Sequence, residues 1–177
     1  MSEKGLTHIY FGDGKGKTTA ALGLALRAAG CGRSVVIVHF LKDWNCGEFR
    51  SIELIPKVTV FRGKSPGGVF VRDMSEEEKA ETKAIHDDNL RKALALQATG
   101  QCDLLVLDEA IDAYQLGVLD SVLFKGLLDD KPESLELVIT GHSPNAELLE
   151  HADYVTEMIK RKHPYDRGVS ARRGIEF

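Results

Sequence analysis

The sequence has few cysteines, no long apolar run and no excess of positive charge. Its three cysteines, Cys31, Cys46 and Cys102, are far apart and odd in number, so they match no metal-site spacing. We interpret them as free thiols, packed as small hydrophobic side chains in a reducing compartment. No apolar run approaches the length of a membrane-spanning helix, and residues 1–4 are too short and polar for a signal peptide. These absences predict a cytoplasmic protein that does not enter a membrane.

The net charge of the chain limits the functions it can have, and its length limits the number of domains it can form. The 23 basic and 27 acidic residues give a net charge of −4, which argues against a general nucleic-acid-binding surface. The 177 residues can bury the core of one α/β domain but are too few for two domains. We therefore predict that residues 1–177 form a single domain that binds no nucleic acid.

The most informative segment is GDGKGKTT, which lies between an apolar run, Leu6–Phe11, and a helical pattern that starts at Thr19. A strand, a glycine-rich loop, Gly-Lys-Thr and a helix are the order that a phosphate-binding loop needs. Its N–H groups and the helix N-terminus attract phosphate oxygens. Lys17 would bridge the outer phosphates, and the hydroxyl of Thr18 would bind Mg²⁺. The predicted nucleotide-binding residues are Gly12, Asp13, Gly14, Lys15, Gly16, Lys17, Thr18 and Thr19.

The loop departs from the usual pattern at one position. The pattern has a glycine six residues before the lysine, where this chain has Phe11, while Gly12 follows one residue later. We expect a reshaped loop that still binds phosphate, and the departure bears on which phosphate occupies which position. The alternative is an ordinary glycine-rich turn with a surface lysine, and the flanking strand and helix make that alternative much weaker.

Apolar runs alternate with helical patterns along the rest of the chain. Short strands separated by helices predict a parallel sheet with helices on both faces, an α/β fold of the RecA-like phosphate-loop class. One long helix should begin after Ser75, because Ser75 and Glu78 form a capping box, and should end near Ala98. The predicted strands are Leu6–Phe11, Val35–Phe40, Val58–Phe61, Leu104–Leu107, Leu137–Thr140 and Tyr154–Ile159.

Two further strand ends carry polar groups that suit a nucleotide site. Leu104–Leu107 is followed by Asp108 and Glu109, and the strand that ends at Thr140 is followed by His142. Ligands of parallel sheets bind at the carboxyl ends of strands. Mg²⁺ takes oxygen ligands, so Thr18 and one carboxylate would hold it together with phosphate oxygens. The sequence does not decide whether Asp108 or Glu109 is the direct ligand.

The residues alone predict a protein that uses ATP or GTP and leave its chemistry open. One alternative is a small-molecule kinase, in which the segment Arg62–Arg72 would act as a lid. Another is a RecA-like ATPase, in which Glu109 would activate the attacking water. The C-terminal tail narrows this choice.

The tail reads KHPYD-x-G-x-x-A-R-x-G-I-E-F from Lys162 to Phe177. Together with GDGKGKTTAALGLALRA, the segment VHFLK at Val38 and the segment LVLDE at Leu105, it resembles the phosphate-loop ATP:corrinoid adenosyltransferases. The resemblance covers nearly the whole chain, and the tail is its most specific part.

This resemblance implies that ATP donates its 5′-deoxyadenosyl group to the Co(I) centre of a corrinoid and leaves as triphosphate. The implied cofactors are ATP, Mg²⁺ or Mn²⁺, and the corrinoid substrate; a reductant or flavoprotein would reduce the cobalt. The family also implies a homodimer. The predicted catalytic residues are Lys17 and Glu109. The predicted metal ligands are Thr18, Asp108 and Glu109. Further predicted contacts of the corrinoid or the nucleotide are Phe70, His142, Lys162 and His163.

The chain departs from the family at two places. Many members have an arginine where this chain has His142, so we expect either a protonated His142 or another cation, namely Lys42, Arg172 or Arg173, to contact phosphate. Members often carry a basic N-terminal segment that helps to cover the site, whereas only five residues precede Leu6 here. One alternative is that a partner subunit covers the site in place of that segment.

Overall fold

The computed structural model describes residues 4–41, 47–63 and 71–176. Strands and helices alternate along these residues, as the sequence pattern predicts. The strands are β1 (Thr7–Phe11), β2 (Val35–His39), β3 (Val58–Arg62), β4 (Leu104–Asp108), β5 (Glu136–Thr140) and β6 (Tyr154–Glu157). The helices are α1 (Lys17–Gly30), α2 (Gly47–Ile52), α3 (Glu76–Ala98), α4 (Ala110–Gln115), α5 (Ser121–Asp129) and α6 (Ala146–Glu150).

The six strands form one sheet in the order β3-β2-β4-β5-β1-β6, and every pair of neighbouring strands in it is parallel. In register, His39 is opposite Asp108 and Tyr10 is opposite Thr140. Because all strands run the same way, the polar residues that end β2, β4 and β5, namely His39, Asp108 and Thr140, lie at the same edge of the sheet as the loop that follows β1. The predicted α/β fold with a parallel sheet is confirmed.

Helices cover both faces of this sheet. Along β4, Leu105 and Leu107 pack into one buried cluster with α3, α5 and α6, whereas Leu104 and Val106 pack into a second cluster with α1 and α2. This division follows from the two-residue period of a strand, which sends successive side chains to opposite faces. Both faces are apolar, and each strand therefore reads as a continuous hydrophobic run.

Most predicted elements agree with the structure. All six predicted strands are present, although β6 ends at Glu157 rather than at Ile159. The capping box is formed, since Glu78 N–H donates to Ser75 Oγ over 3.2 Å and Ser75 N–H donates to Glu78 Oε2 over 2.7 Å. The sequence prediction missed α2 and α4, each of six residues, because such short helices show too little of the 3.6-residue period. Among the residues described, no helix combines the length and the hydropathy needed to cross a bilayer.

Candidate nucleotide-binding site

A cavity of about 800 Å³ opens at the carboxyl edge of the sheet, beside the loop that joins β1 to α1. Its lining comes from that loop, the start of α1, α2, the residue after β4, the residues after β5 and the C-terminal tail. Such a volume is within the usual range for small-molecule sites. The lining residues are Asp13, Gly14, Lys15, Gly16, Lys17, Thr18, Thr19, Leu22, Gly47, Glu48, Ser51, Glu109, His142, His163, Gly174, Ile175 and Glu176.

The first half of the loop is fixed by the backbone that follows β6. Gly14 N–H donates to Met158 O over 2.6 Å. The carboxylate of Asp13 accepts a hydrogen bond from Lys160 N–H over 2.9 Å, and this bond is the main reason why the pKa of Asp13 is lowered. Gly12 N–H donates to His142 O over 2.9 Å, which ties the loop to the end of β5. The second half of the loop, from Lys15 onward, therefore faces the cavity from a rigid base.

Gly12 and Gly14 permit this close packing because they have no side chain. A Cβ on Gly12 would lie 2.4 Å from Met158 O, and one on Gly14 would lie 2.6 Å from the same oxygen. Gly12 also has a φ of +111°, which residues with a side chain rarely adopt. Gly12, which lies one position after the glycine of the usual pattern, thus allows the loop to pack closely against Met158, which follows β6.

We expect Gly12→Ala to destabilise the fold by on the order of 2–4 kcal/mol, from the combined cost of positive φ and of overpacking. Gly23→Ala is the matched control, because Gly23 is an exposed residue inside α1 with no atom within 4 Å of its would-be Cβ. That variant should gain roughly 0.5–1 kcal/mol from helix propensity. Urea denaturation of both variants measures the two effects, and equal stability of the two variants would contradict this view of the loop.

Lys17 begins α1 and is largely buried, with 9% of its surface exposed. Its ammonium group donates to Gly12 O over 2.7 Å and to Gly14 O over 3.1 Å. These bonds hold the positive charge inside the curve of the loop. The helix N-terminus lies at the same point, and the N–H groups of a first helical turn have no acceptor within the helix. Both features produce a positive potential at the loop, which suits a bound phosphate.

Asp108 ends β4 and is completely buried. One carboxylate oxygen, Oδ1, accepts from Thr140 Oγ1 over 2.6 Å, and the other, Oδ2, accepts from Thr18 Oγ1 over 3.1 Å. A hydroxyl of the loop and a buried carboxylate are thus in direct contact. These two oxygen donors beside a phosphate loop fit Mg²⁺, which prefers oxygen ligands and retains several waters.

The sequence prediction missed His39 as a neighbour of this site. Its Nδ1 lies 2.7 Å from Asp108 Oδ2, and its ring is almost fully buried. Among the residues described, neither ring nitrogen has an aligned hydrogen-bond partner, so the imidazole and the carboxylate are close neighbours without a hydrogen bond between them. The sequence signal was present, because His39 is a polar residue at the carboxyl end of a buried apolar strand.

Glu109 directs its carboxylate differently from Asp108. Glu109 has a φ of +62° and stands immediately before α4, and its N–H donates to Thr140 Oγ1 over 2.9 Å. Left-handed backbone at a residue with a long side chain costs energy and often marks a functional site. Only 7% of Glu109 is exposed, yet it lines the cavity, whereas Asp108 lies behind Thr18. The two neighbouring acids therefore face two different places.

The C-terminal tail contributes to the mouth of the cavity. Lys15 Nζ donates to Ile175 O over 3.2 Å and to Glu176 Oε1 over 3.3 Å. Arg172 binds Glu176 through Nε over 3.2 Å and through Nη2 over 3.0 Å. Hydrogen bonds from this guanidinium lower the pKa of Glu176 to about 2. The most distinctive part of the sequence thus lies directly on the phosphate loop.

Among the residues described, the structure brings the predicted site residues to one cavity with three exceptions, Gly12, Asp108 and Lys162. Gly12 is buried against Met158 and does not line the cavity, and Asp108 is behind Thr18. Lys162 is exposed and outside the lining, although the adjacent His163 belongs to it. Phe70, the predicted corrinoid contact, lies outside the described residues. Of the three other cations considered above, Arg172 is paired with Glu176, Arg173 is exposed and outside the lining, and Lys42 lies outside the described residues.

This fold and this loop define a phosphate-loop nucleotide-binding protein. A family model described as "ATP:corrinoid adenosyltransferase BtuR/CobO/CobP" matches residues 3–177. The chain belongs to this family, which makes it an enzyme that uses ATP and a corrinoid as substrates.

Three relatives that bear this family's name align with the chain over most of their length. The corrinoid adenosyltransferase of Escherichia coli K12 is 33% identical over 180 residues, covering 100% of this chain and 88% of the relative. The corrinoid adenosyltransferase CobA of Salmonella typhimurium LT2 is 34% identical with the same coverage. The corrinoid adenosyltransferase of Pseudomonas aeruginosa is 30% identical, covering 99% of this chain and 85% of the relative.

Solved structures of more distant proteins share less with the chain. The Aeropyrum pernix ORC2 protein in its ADP form aligns with a TM-score of 0.39 and 15% identity, over 90% of this chain and 43% of that one. The Pyrococcus furiosus Hef helicase domain aligns with a TM-score of 0.44 and 14% identity, over 97% of this chain and 38% of that one. The chain thus spans less than half of either protein.

Proposed function

We propose that the protein transfers the 5′-deoxyadenosyl group of ATP to the Co(I) centre of a corrinoid and releases triphosphate. The cobalt lone pair attacks the 5′-carbon, a Co–C bond forms, and the C5′–O bond breaks with its electron pair leaving on the triphosphate. Formally, Co(I) is oxidised to Co(III). Because the cobalt is itself the nucleophile, the protein needs neither a nucleophilic side chain nor a general base.

The observation that carries this proposal is the position of the C-terminal tail on the phosphate loop. Ile175 and Glu176 contact Lys15 and line the same cavity as Lys17 and Thr18. The tail is the segment with the most specific resemblance to the adenosyltransferases, whereas the loop alone is common to many nucleotide-binding families. Its contact with the loop supports a use of ATP that is particular to this family.

The residues of the loop suit the stabilisation of a triphosphate leaving group. Lys17, the N–H groups of the loop and the start of α1 would bind the developing negative charge, which is greatest as the C5′–O bond breaks. His142 and His163 lie on the cavity wall and would add contacts to the nucleotide. Holding the 5′-carbon in line with the cobalt supplies the second part of the catalysis.

Thr18 and Asp108 are the residues that we propose to hold Mg²⁺ or Mn²⁺ with the phosphates. The 3.1 Å hydrogen bond between them orients the hydroxyl oxygen, and the burial of Asp108 fixes the carboxylate. When bound, such a cation neutralises charge on the triphosphate. Glu109 faces the cavity from the next position and stays our second proposed acidic residue, which acts on the reaction through electrostatics and not as a base.

The partners and the location expected from the sequence also belong to this proposal. A reductant or flavoprotein would produce Co(I), and Phe70 would contact the corrinoid. A homodimer is consistent with the exposed edge strand β6, in which Tyr154 and Val155 are each about half exposed. Light scattering that gave only the monomer mass of 19.5 kDa would remove the dimer from the proposal. The cytoplasmic location stays a prediction.

Analysis of the nucleotide products tests the proposed reaction against its alternatives. We expect anaerobic incubation with ATP, Mg²⁺ and cob(I)alamin to release one triphosphate for each ATP consumed. A small-molecule kinase would instead produce ADP and a phosphorylated substrate, and an ATPase would produce ADP and phosphate. ADP as the main product, in the presence of reduced corrinoid, would contradict the proposal.

A further inference from the structure

Three side chains of types that can ligate a metal meet at the edge of the cavity, two of them in its lining, and all three are separate from Thr18 and Asp108. They are Glu109, Asp112 and His142, and one ligand atom of each lies within 4.8 Å of the others. His142 Nδ1 is 3.1 Å from Asp112 Oδ1. Two ligands that are each about 2.1 Å from one ion stand roughly 3.0–3.4 Å apart, so this spacing already suits a shared cation.

The fold fixes two of these groups from outside the cluster. Asp112 Oδ2 accepts the backbone N–H of His142 over 2.9 Å, which leaves Oδ1 directed at the imidazole. Gln115 on the same helix donates to Ser143 O over 2.7 Å and holds α4 against the residues after β5. Gly141 makes this approach feasible, because a Cβ there would lie 2.7 Å from Asp112 Oδ2. Such support is typical of ligands in metal sites, where partners outside the coordination sphere set the orientation of each ligand.

Glu109 supplies the third ligand and separates this cluster from the nucleotide Mg²⁺ position. Asp108 is completely buried and occupied by Thr140 and Thr18, while Glu109 lies at the cavity and next to α4. The neighbouring acids thus belong to two different donor sets. The set of Thr18 and Asp108 consists of oxygen donors only, whereas the set of Glu109, Asp112 and His142 contains an imidazole nitrogen.

We propose that Glu109, Asp112 and His142 form a second divalent-cation site of the transition-metal type. One imidazole and two carboxylates suit Zn²⁺ or Mn²⁺ better than Mg²⁺, which prefers oxygen ligands alone. Three protein ligands leave coordination positions open on the side of the cavity, where water or an anionic oxygen of a ligand would complete the sphere. His142 O also accepts the N–H of Gly12, so an ion held by His142 would lie beside the phosphate loop.

The test is a calorimetric titration of the full chain with Zn²⁺, in the absence of nucleotide and corrinoid. We expect one site, with affinity reduced at least about tenfold in His142→Ala and in Asp112→Asn. Asn keeps an acceptor for the His142 N–H, and the His142 side chain is 59% exposed, so both variants should fold. The matched control is His151→Ala, which removes another histidine that pairs with an aspartate, its Nε2 being 3.5 Å from Asp129 Oδ1. This control should bind Zn²⁺ as the unchanged chain does.

A second readout is the thermal midpoint of unfolding. Zn²⁺ should raise this midpoint in the unchanged chain and in His151→Ala, and should raise it clearly less in His142→Ala, because stabilisation by a ligand falls as its affinity for the folded state falls. Absence of Zn²⁺ binding to the unchanged chain, or equal binding by all three variants, would overturn the proposal. Either outcome would leave the proposal of adenosyl transfer standing, because these measurements contain neither ATP nor corrinoid.

Discussion

Lys17→Ala should reduce the rate of adenosyl transfer by roughly 30- to 1,000-fold, which corresponds to about 2–4 kcal/mol of transition-state stabilisation. The ammonium of Lys17 lies inside the curve of the loop, where it contacts the carbonyl oxygens of Gly12 and Gly14. Its loss removes the main cation from the position that we propose for the leaving triphosphate. Turnover with saturating ATP and preformed Co(I) corrinoid measures the effect.

The fold should survive this substitution with reduced stability. Lys17 is mostly buried and bonded to two carbonyls of its own loop, so Ala should cost about 1–3 kcal/mol of unfolding free energy. The control is Lys57→Ala, because Lys57 Nζ likewise donates to a backbone carbonyl, that of Gly32, over 2.7 Å, and Lys57 is not among the residues that line the cavity. Near-normal turnover in Lys17→Ala would be incompatible with a phosphate-binding loop.

Asp108→Asn and Glu109→Gln should both weaken Mg²⁺-dependent turnover, with the larger loss in Asp108→Asn. Asp108 accepts the hydroxyl of Thr18, the other proposed ligand, and its negative charge lies completely inside the protein. An amide keeps the shape but not the charge, so we expect about a hundredfold loss or more, by analogy with the removal of one electrostatic contact in other active sites.

The Mg²⁺ concentration at half-maximal rate is the informative quantity for these variants. It should rise in Asp108→Asn, and more Mg²⁺ should recover part of the rate. In Glu109→Gln we expect a smaller change, because Glu109 belongs to the cluster with Asp112 and His142. If neither variant alters the Mg²⁺ titration, the two acids are structural residues and our metal assignment is wrong.

The sequence was sufficient for features that depend on local order along the chain. Strand β1, the loop and α1 follow one another within 24 residues, and each has a pattern of its own. The capping box of α3 depends only on Ser75 and Glu78. The parallel sheet also follows from local patterns, because alternating strands and helices leave few other arrangements.

Contacts between distant segments could not be predicted from the sequence. Asp108 meets His39, Thr18 and Thr140 only because the order of the strands places β2, the loop and β5 around β4. Asp112 belongs to a six-residue helix that the sequence pattern did not reveal, so its contact with His142 was also missed. Neither the contacts of Asp108 nor the contact of Asp112 with His142 corresponds to a recognisable spacing of residues in the sequence.

The contact of the tail with the loop is a further example. Lys15 and Glu176 are 161 residues apart, and neither residue type indicates the other. The resemblance to the adenosyltransferases singled out the tail as distinctive, and the structure adds that it lies at the mouth of the nucleotide cavity. Two residues of the distinctive tail, Ile175 and Glu176, thus contact Lys15 of the phosphate loop.

The most direct test of the proposed reaction is the absorption spectrum of the corrinoid after anaerobic incubation with the protein, ATP, Mg²⁺ and chemically reduced cob(I)alamin. We expect a product with a Co–C bond, which light converts back to a cobalamin without the adenosyl group. The same mixture without ATP should give no light-sensitive product. Formation of no light-sensitive product by the folded protein, with ATP and Co(I) both present, would contradict adenosyl transfer.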